Sequence, residues 1–238
     1  MNVTLFNRNK GLLFGILAYC ICAAIAIFLP YLFHHPSKPV FFCSAVIFIV
    51  FPLLIFPYVS RKCLTPAVLT FDESGFGLQE TQHESSLVVH WQDIISFRMQ
   101  PFKIMIGKGV RMKIYYNDGG SLTMYLFGID LLSETVDGQL FIHTFFHSVN
   151  RYNLQVEPDK QIMLLPGFFA TESGKYLMII PALLVVFDLY YRISHPLESK
   201  KGIMFFLFAV VLAAGFWGQV QKERKSFEKL SNLQNENS

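Results

Sequence analysis

Leu69-Thr70-Phe71-Asp72-Glu73-Ser74-Gly75-Phe76 is the stretch that decides the fold class. Polar and apolar residues alternate up to Phe71 and resume at Phe76, and the four residues between are turn formers. That pattern predicts strand, tight hairpin turn, strand. The alternation continues outward and predicts seven short strands, at 67–71, 76–80, 87–90, 94–100, 102–106, 110–116 and 121–127. Asn117-Asp118-Gly119-Gly120 is a second strong turn, because Asp-Gly and Gly-Gly accept positive φ. Gly107-Lys108-Gly109 is a third. Beyond 127 the period changes. Val136, Leu140, Ile142, Phe145, Phe146 and Val149 recur in steps close to helical spacing, which predicts an amphipathic helix over 131–152 with Ser133 as N-cap and Glu134 and Asp137 at its positive end. Seven strands and one helix imply a small β-barrel or sandwich closed by a C-terminal helix.

Outside this segment the chain is apolar. Of 238 residues, 53% are hydrophobic and 16% charged, where a soluble domain carries about 25% charge. These figures exclude a disordered chain, a collagen-like repeat and an ordinary soluble domain. Residues 11–33, 39–59 and 202–221 carry no charge, and each run is long enough for a transmembrane helix. Residues 176–193 form a fourth run, with Asp188 and Arg192 near its end. The first run is longer than a signal-peptide core and is followed almost at once by the second, so an uncleaved hairpin is expected. The expectation is an α+β membrane protein, with four transmembrane helices in two hairpins flanking the strand-rich domain. Its parts are a hairpin at 1–63, the domain at 64–160, a second hairpin at 161–221 and a polar tail at 222–238. Basic residues near span ends favour a cytoplasmic side holding both termini and the domain.

Three features carry a family resemblance: the opening quoted above, the segment Val88-Val89-His90-Trp91-Gln92-Asp93-Ile94, and the turn at Asn117-Asp118-Gly119-Gly120 with its closing helix. On these the chain resembles the bacterial pleckstrin-homology-like membrane proteins over roughly residues 11–152. The resemblance implies a cytoplasmic pleckstrin-homology-like module behind a transmembrane hairpin of the bacterial inner membrane. The second hairpin and the tail depart from that pattern. Trp91 and Ile94 are expected to pack the core, and Asp93 to satisfy backbone donors in a turn.

Charge narrows the function. Residues 64–175 hold eight Lys and Arg against twelve Asp and Glu, and the rest of the chain twelve against five. The excess of positive charge lies in the membrane flanks, where anionic lipid explains it, and nucleic-acid binding has no support. The first hairpin turn is acidic and repels phosphate. Lys103, Lys108, Arg111 and Lys113 fall within eleven residues with no acid among them. They read as a membrane-facing or acidic-partner patch, or as a strand edge protected by Lys. His143 and His147 have the spacing of a zinc pair, but Thr144 stands where a metalloprotease needs Glu. Asp188 is an ionisable residue in an apolar run, set to pair with Arg192 or to serve a ligand. Pro166-Gly167-Phe168-Phe169 reads as a turn dipping rings into the interface. The tail leaves Phe227, Leu230 and Leu233 for docking, and Cys63 is expected to be a reduced thiol at the membrane edge. No nucleophile, phosphate-loop or metal motif appears, so neither cofactor nor metal is implied. The leading expectation is a non-enzymatic module binding a protein or peptide partner, with exposed strand edges suited to β-addition. The alternatives are an immunity-type protein blocking a membrane-acting toxin, and a small membrane enzyme or carrier using Asp188, which would need a homo-oligomer.

Overall fold

The computed structural model describes residues 1–28, 38–81, 86–104, 106–131, 136–176, 179–194 and 203–236. The chain opens with strand β1 (Asn2–Phe6), then helices α1 (Arg8–Phe28) and α2 (Lys38–Lys62). Strands β2 (Leu64–Phe71), β3 (Gly75–Glu80), β4 (Ser86–His90), β5 (Ile94–Ile104), β6 (Gly107–Tyr116) and β7 (Ser121–Phe127) follow, and then helix α3 (Val136–Asn153). A two-residue strand β8 (Met163–Leu164) precedes α4 (Glu172–Tyr176), α5 (Ile179–Ser194) and α6 (Ile203–Glu236). The eight strands form one sheet in the order β4-β3-β2-β1-β7-β6-β5-β8. All pairs are antiparallel except β5 with β8.

The strand reading needs two corrections. The two strands expected at 94–100 and 102–106 are one, β5, running unbroken through Pro101 opposite Val110. Pro101 is tolerated because β8 covers the other edge of β5 only at Ser96 and Phe97, so no ladder bond is asked of its missing N–H on that side. The strand that joins the two halves of the sheet is β1, from ahead of the first apolar run. Asn2 to Phe6 pair with Val68 to Leu64, and Thr4 and Leu5 pair with Phe127 and Leu126.

The expectation of four transmembrane helices is overturned. Among the described residues one helix, Arg8–Phe28, is long and apolar enough to cross a membrane. In the fourth run the described residues of α5 number 16, about 24 Å, short of a hydrocarbon core. The last run is only the first half of a 34-residue helix, whose polar second half is docked on the sheet domain with Glu223, Ser226 and Leu230 buried. The seven-stranded barrel is likewise replaced by the eight-stranded mixed sheet.

The core lies between the curved sheet and α3. Phe141, Ile142, Phe145, Phe146 and Val149 are buried on one face of α3, and His143 and His147 are exposed on the other. The Phe145 ring meets those of Phe71, Phe76, Trp91, Phe97, Phe141 and Phe146, at centroid separations of 5.0–6.4 Å. Edge-to-face pairs of this kind stabilise by about 0.5–1.5 kcal/mol each beyond burial. The first hairpin is locked by Asp72, whose Oδ1 accepts from Ser74 N, Ser74 Oγ and Gly75 N, each at 2.8 Å. Gly75 is required there, since a Cβ would run into the Val89 carbonyl. Gly119, at φ +83°, closes the second hairpin in the conformation its Asp-Gly pair foretold.

The connections fix the direction in which each helix leaves the sheet. The C-terminal ends of β5 and β7 lie with the N-terminal end of β6, and β1, antiparallel to β7, points its C-terminal end, with the N-terminal end of β2, the opposite way. From the C-terminal end of β1, α1 leaves, and α2 returns to the N-terminal end of β2, antiparallel to α1, with Gly15 against Phe56 and Asn7 N–H bonded to the Cys63 carbonyl at 2.9 Å. Helix α6 runs counter to β5. Its Gln234 is bonded near Asn150 and Ile162, and its Glu223 meets Gln100 further along the strand. The apolar first half of α6 therefore extends towards the C-terminal end of β5, alongside α5.

Candidate functional site

Strand alternation builds a basic and aromatic face on the side of β5–β7 away from α3. Phe97 and Met99 fill the core, so Arg98, Gln100 and Phe102 turn outward. Val110, Met112 and Ile114 do the same on β6, which turns Arg111, Lys113 and Tyr115 outward, and Met124 and Leu126 on β7 turn Tyr125 outward. The register sets Arg98 opposite Lys113, Gln100 opposite Arg111, and Arg111 opposite Tyr125.

The cations sit over the rings. Lys113 Nζ is 4.6 Å and the Arg98 guanidinium 6.0 Å from the Tyr115 centroid. Arg111 lies 5.9 Å and Arg8 6.0 Å from that of Tyr125, and Arg8 donates to the Tyr125 hydroxyl at 3.0 Å. Phe102 meets Tyr125 edge-on at 5.5 Å. Such contacts contribute about 0.5–1 kcal/mol at exposed sites and more when desolvated.

Beside this face, Glu223 of α6 is buried, 6% exposed. Its Oε2 accepts from Gln100 Nε2 and from Phe169 N–H, both at 3.2 Å, and its Oε1 from Gln219 at 3.1 Å. Those bonds fasten α6, β5 and the Phe168–Ala170 turn to one another. They also leave the arginines alone, because no ion pair to Arg98 or Arg111 exists among the described residues. The Nε atoms of both arginines are buried without a hydrogen-bond partner. A half-open cavity of about 500 Å³ lies between β5–β6 and α6, and Arg98, Lys103, Arg111, Phe168, Phe169 and Glu223 help line it. Arg111 also borders a cavity of about 520 Å³ at the root of α1, with Arg8, Leu78, Met124 and Tyr125.

The four basic residues singled out from sequence divide into two pairs. Arg111 and Lys113 share the outer face. Lys103 and Lys108 stand opposite each other at the β5–β6 tip, where Lys108 pairs with Asp130 at 2.9 Å. Sequence reasoning missed Arg98, Arg8, Tyr115, Tyr125 and Glu223. Arg98 was legible as the outward residue between Phe97 and Met99, but Glu223 was not, since nothing local brings α6 to β5. Trp91 is 1% exposed, and its Nε1–H donates to the Asp72 carbonyl at 3.2 Å. Ile94 is buried in the same core. At Asp93 it is the main-chain carbonyl that meets a backbone donor, Asn117 N–H at 3.0 Å. The carboxylate that caps a turn here is that of Asp72, held below the usual carboxylate range first by the Ser74 hydroxyl and then by the Gly75 and Ser74 amides.

Cys63 is buried, donates to the Val59 carbonyl at 3.3 Å, and has its thiol pushed up by burial, partly opposed by the Lys10 charge. Asp188 and Arg192 fall on α5, and the described side chains do not include theirs. His34 and His35 lie outside the described residues. Pro166-Gly167 does precede a turn, Phe168–Ala170, and the Phe169 ring packs edge-on against Phe216 of α6 at 6.0 Å. Leu230 and Leu233 of the expected tail join the domain core.

No family model, no curated protein and no solved structure matches this chain.

Proposed function

We propose that this protein is a membrane-anchored, non-enzymatic binding module. In this reading α1 enters the bilayer as the anchor and holds a pleckstrin-homology-like domain at the inner face of a bacterial membrane to engage a protein or peptide. The carrying observation is the exposure of α1. Leu12, Leu13, Ile16, Leu17, Ile21 and Ile27 are each 51–65% exposed on a helix of spanning length, and bare apolar area of that extent is stable under lipid. The position of β1 supports an anchor over a removed signal, because a cut behind α1 would withdraw a strand from the middle of the sheet. The module reading is supported by the seven-strand antiparallel run β4-β3-β2-β1-β7-β6-β5 with α3 across it. Partner uptake is supported by the open outer edge of β4, where Val88 is 60% exposed.

The test is made on the full chain in cells. After alkaline carbonate extraction the protein is expected in the membrane pellet, and its appearance in the supernatant would overturn the anchor. A photocrosslinking residue in place of Val88 is expected to yield a discrete protein adduct. Adducts identical to those from a crosslinker at Glu157, on the exposed Pro158 turn, would count against the β4 edge.

A further inference from the structure

We infer that the cavity between β5–β6 and α6 is a binding site for a phosphate ester that carries an apolar group. The proposal starts from an electrostatic imbalance. Arg98, Lys103 and Arg111 line the cavity, against a single carboxylate, Glu223. Glu223 is already engaged by Gln100, Gln219 and the Phe169 amide. The guanidinium groups are partly withdrawn from water, with both Nε–H donors buried and unmatched. Buried donors and charges are costly unless paired, so the site is complete only with an anion. The stacking on Tyr115 and Tyr125 orients both guanidinium groups without consuming their hydrogen-bonding capacity.

The geometry favours phosphate over carboxylate. Arg98 faces Lys113 and Arg111 faces Gln100, so the two arginines are diagonal neighbours on adjacent strands, about 7–8 Å apart at the backbone. One guanidinium saturates a carboxylate in a bidentate pair, leaving the second unmatched. A phosphate ester offers three outer oxygens and serves two forks from one group. The remaining walls are Phe102, Phe168 and Phe169, which suit a carbon chain or ring beside the phosphate. The ester can be a lipid headgroup or a soluble phosphate. The site itself stands without the membrane anchor, and only its lipid source rests on it.

Full-length protein in neutral detergent is titrated calorimetrically with dihexanoyl phosphatidylglycerol, glycerol 3-phosphate and dihexanoylglycerol, the last lacking phosphate. Binding of the lipid above dihexanoylglycerol, weakened about tenfold or more by Arg98→Gln and again by Arg111→Gln, supports the site with a lipid source. The same losses on glycerol 3-phosphate support it with a soluble source. Lys229→Gln, remote on α6, is expected to change affinity less than twofold. The proposal is overturned if neither phosphate compound binds better than dihexanoylglycerol. It is equally overturned if Lys229→Gln weakens binding as much as the arginine variants, since the attraction is then diffuse charge. Unchanged melting temperatures guard against misfolding, and Arg98→Lys, which keeps charge but not the fork, is expected to restore only part of the affinity. Because the titration is run in micelles, failure here leaves the carbonate result untouched, and the reverse.

Discussion

Asp72 and Glu223 hold the molecule at two points where backbone donors would otherwise go unmatched, and both lend themselves to test. Asp72→Ala removes three hydrogen bonds from the first hairpin and is expected to lower the melting temperature at neutral pH. The Asp72 carboxyl is held below its ordinary value of 3.8, so its stabilisation is present above that pH and is lost as pH falls through the folded-state value. The melting-temperature gap between the native chain and Asp72→Asn should therefore shrink on acidification from pH 5 towards 3. A gap constant with pH would show that the ionised carboxylate is not what closes the turn. Glu223→Ala strands the Phe169 amide and Gln100, and a buried unmatched donor costs about 1–3 kcal/mol. Limited proteolysis near 168–176 is expected to accelerate in Glu223→Ala more than in Glu223→Gln, which keeps one acceptor. At this scale the sequence was informative where the signal was local. Trp91 and Asp72 could be read from their turns, whereas Gln100 and Phe169, the partners that tie Glu223 to the domain, lie more than fifty residues away and leave no local trace.

Among elements, α3 and β1 differ in how much of their role the sequence disclosed. The spacing of Phe141, Phe145, Phe146 and Val149 gave both the helix and its buried face, because one amphipathic period of 18 residues is a strong signal. Phe145 stands at the centre of six rings, so Phe145→Ala is expected to cost about 3–5 kcal/mol in denaturant unfolding, against less than 1 for the exposed Leu140→Ala on the same helix. Strand β1 has only five residues, with Val3 as its one buried side chain. Five alternating residues ahead of a long apolar run are locally indistinguishable from a short leader, and their pairing with residues over sixty positions downstream is invisible to periodicity. Val3→Asp puts a charge against Ala67 and Leu69 and is expected to lower the melting temperature sharply, where Asn2→Asp leaves it unchanged. Pro101 misled in the opposite way. A breaker was read as a break, although an edge left open by β8 accommodates it.

For the whole molecule, basic residues lie where the helices leave the sheet. Arg8, Lys10, Arg61 and Lys62 ring the root of α1 and α2, and Lys103 and Lys108 stand at the β5–β6 tip. Composition disclosed that the chain carries membrane-length apolar runs. It overstated their number because hydropathy does not reveal that α6 continues, as one helix, from an apolar half into a docked polar half. Since β1 and β2 are neighbours in the sheet, cysteines placed at Asn2 and Glu73 are expected to react alike with a membrane-impermeant maleimide on either side of the membrane, and opposite labelling would refute the pairing of Asn2 with Val68. The same pairing sets an order of events. Ribosomes add roughly 5–20 residues per second, so Thr4 waits some 6–25 s for Phe127 to be made. Throughout that wait the first strand lacks its second neighbour, because β7 is not yet made. The sheet is then sewn shut by its oldest residues, and the domain is whole only once its last long strand has come to meet its first.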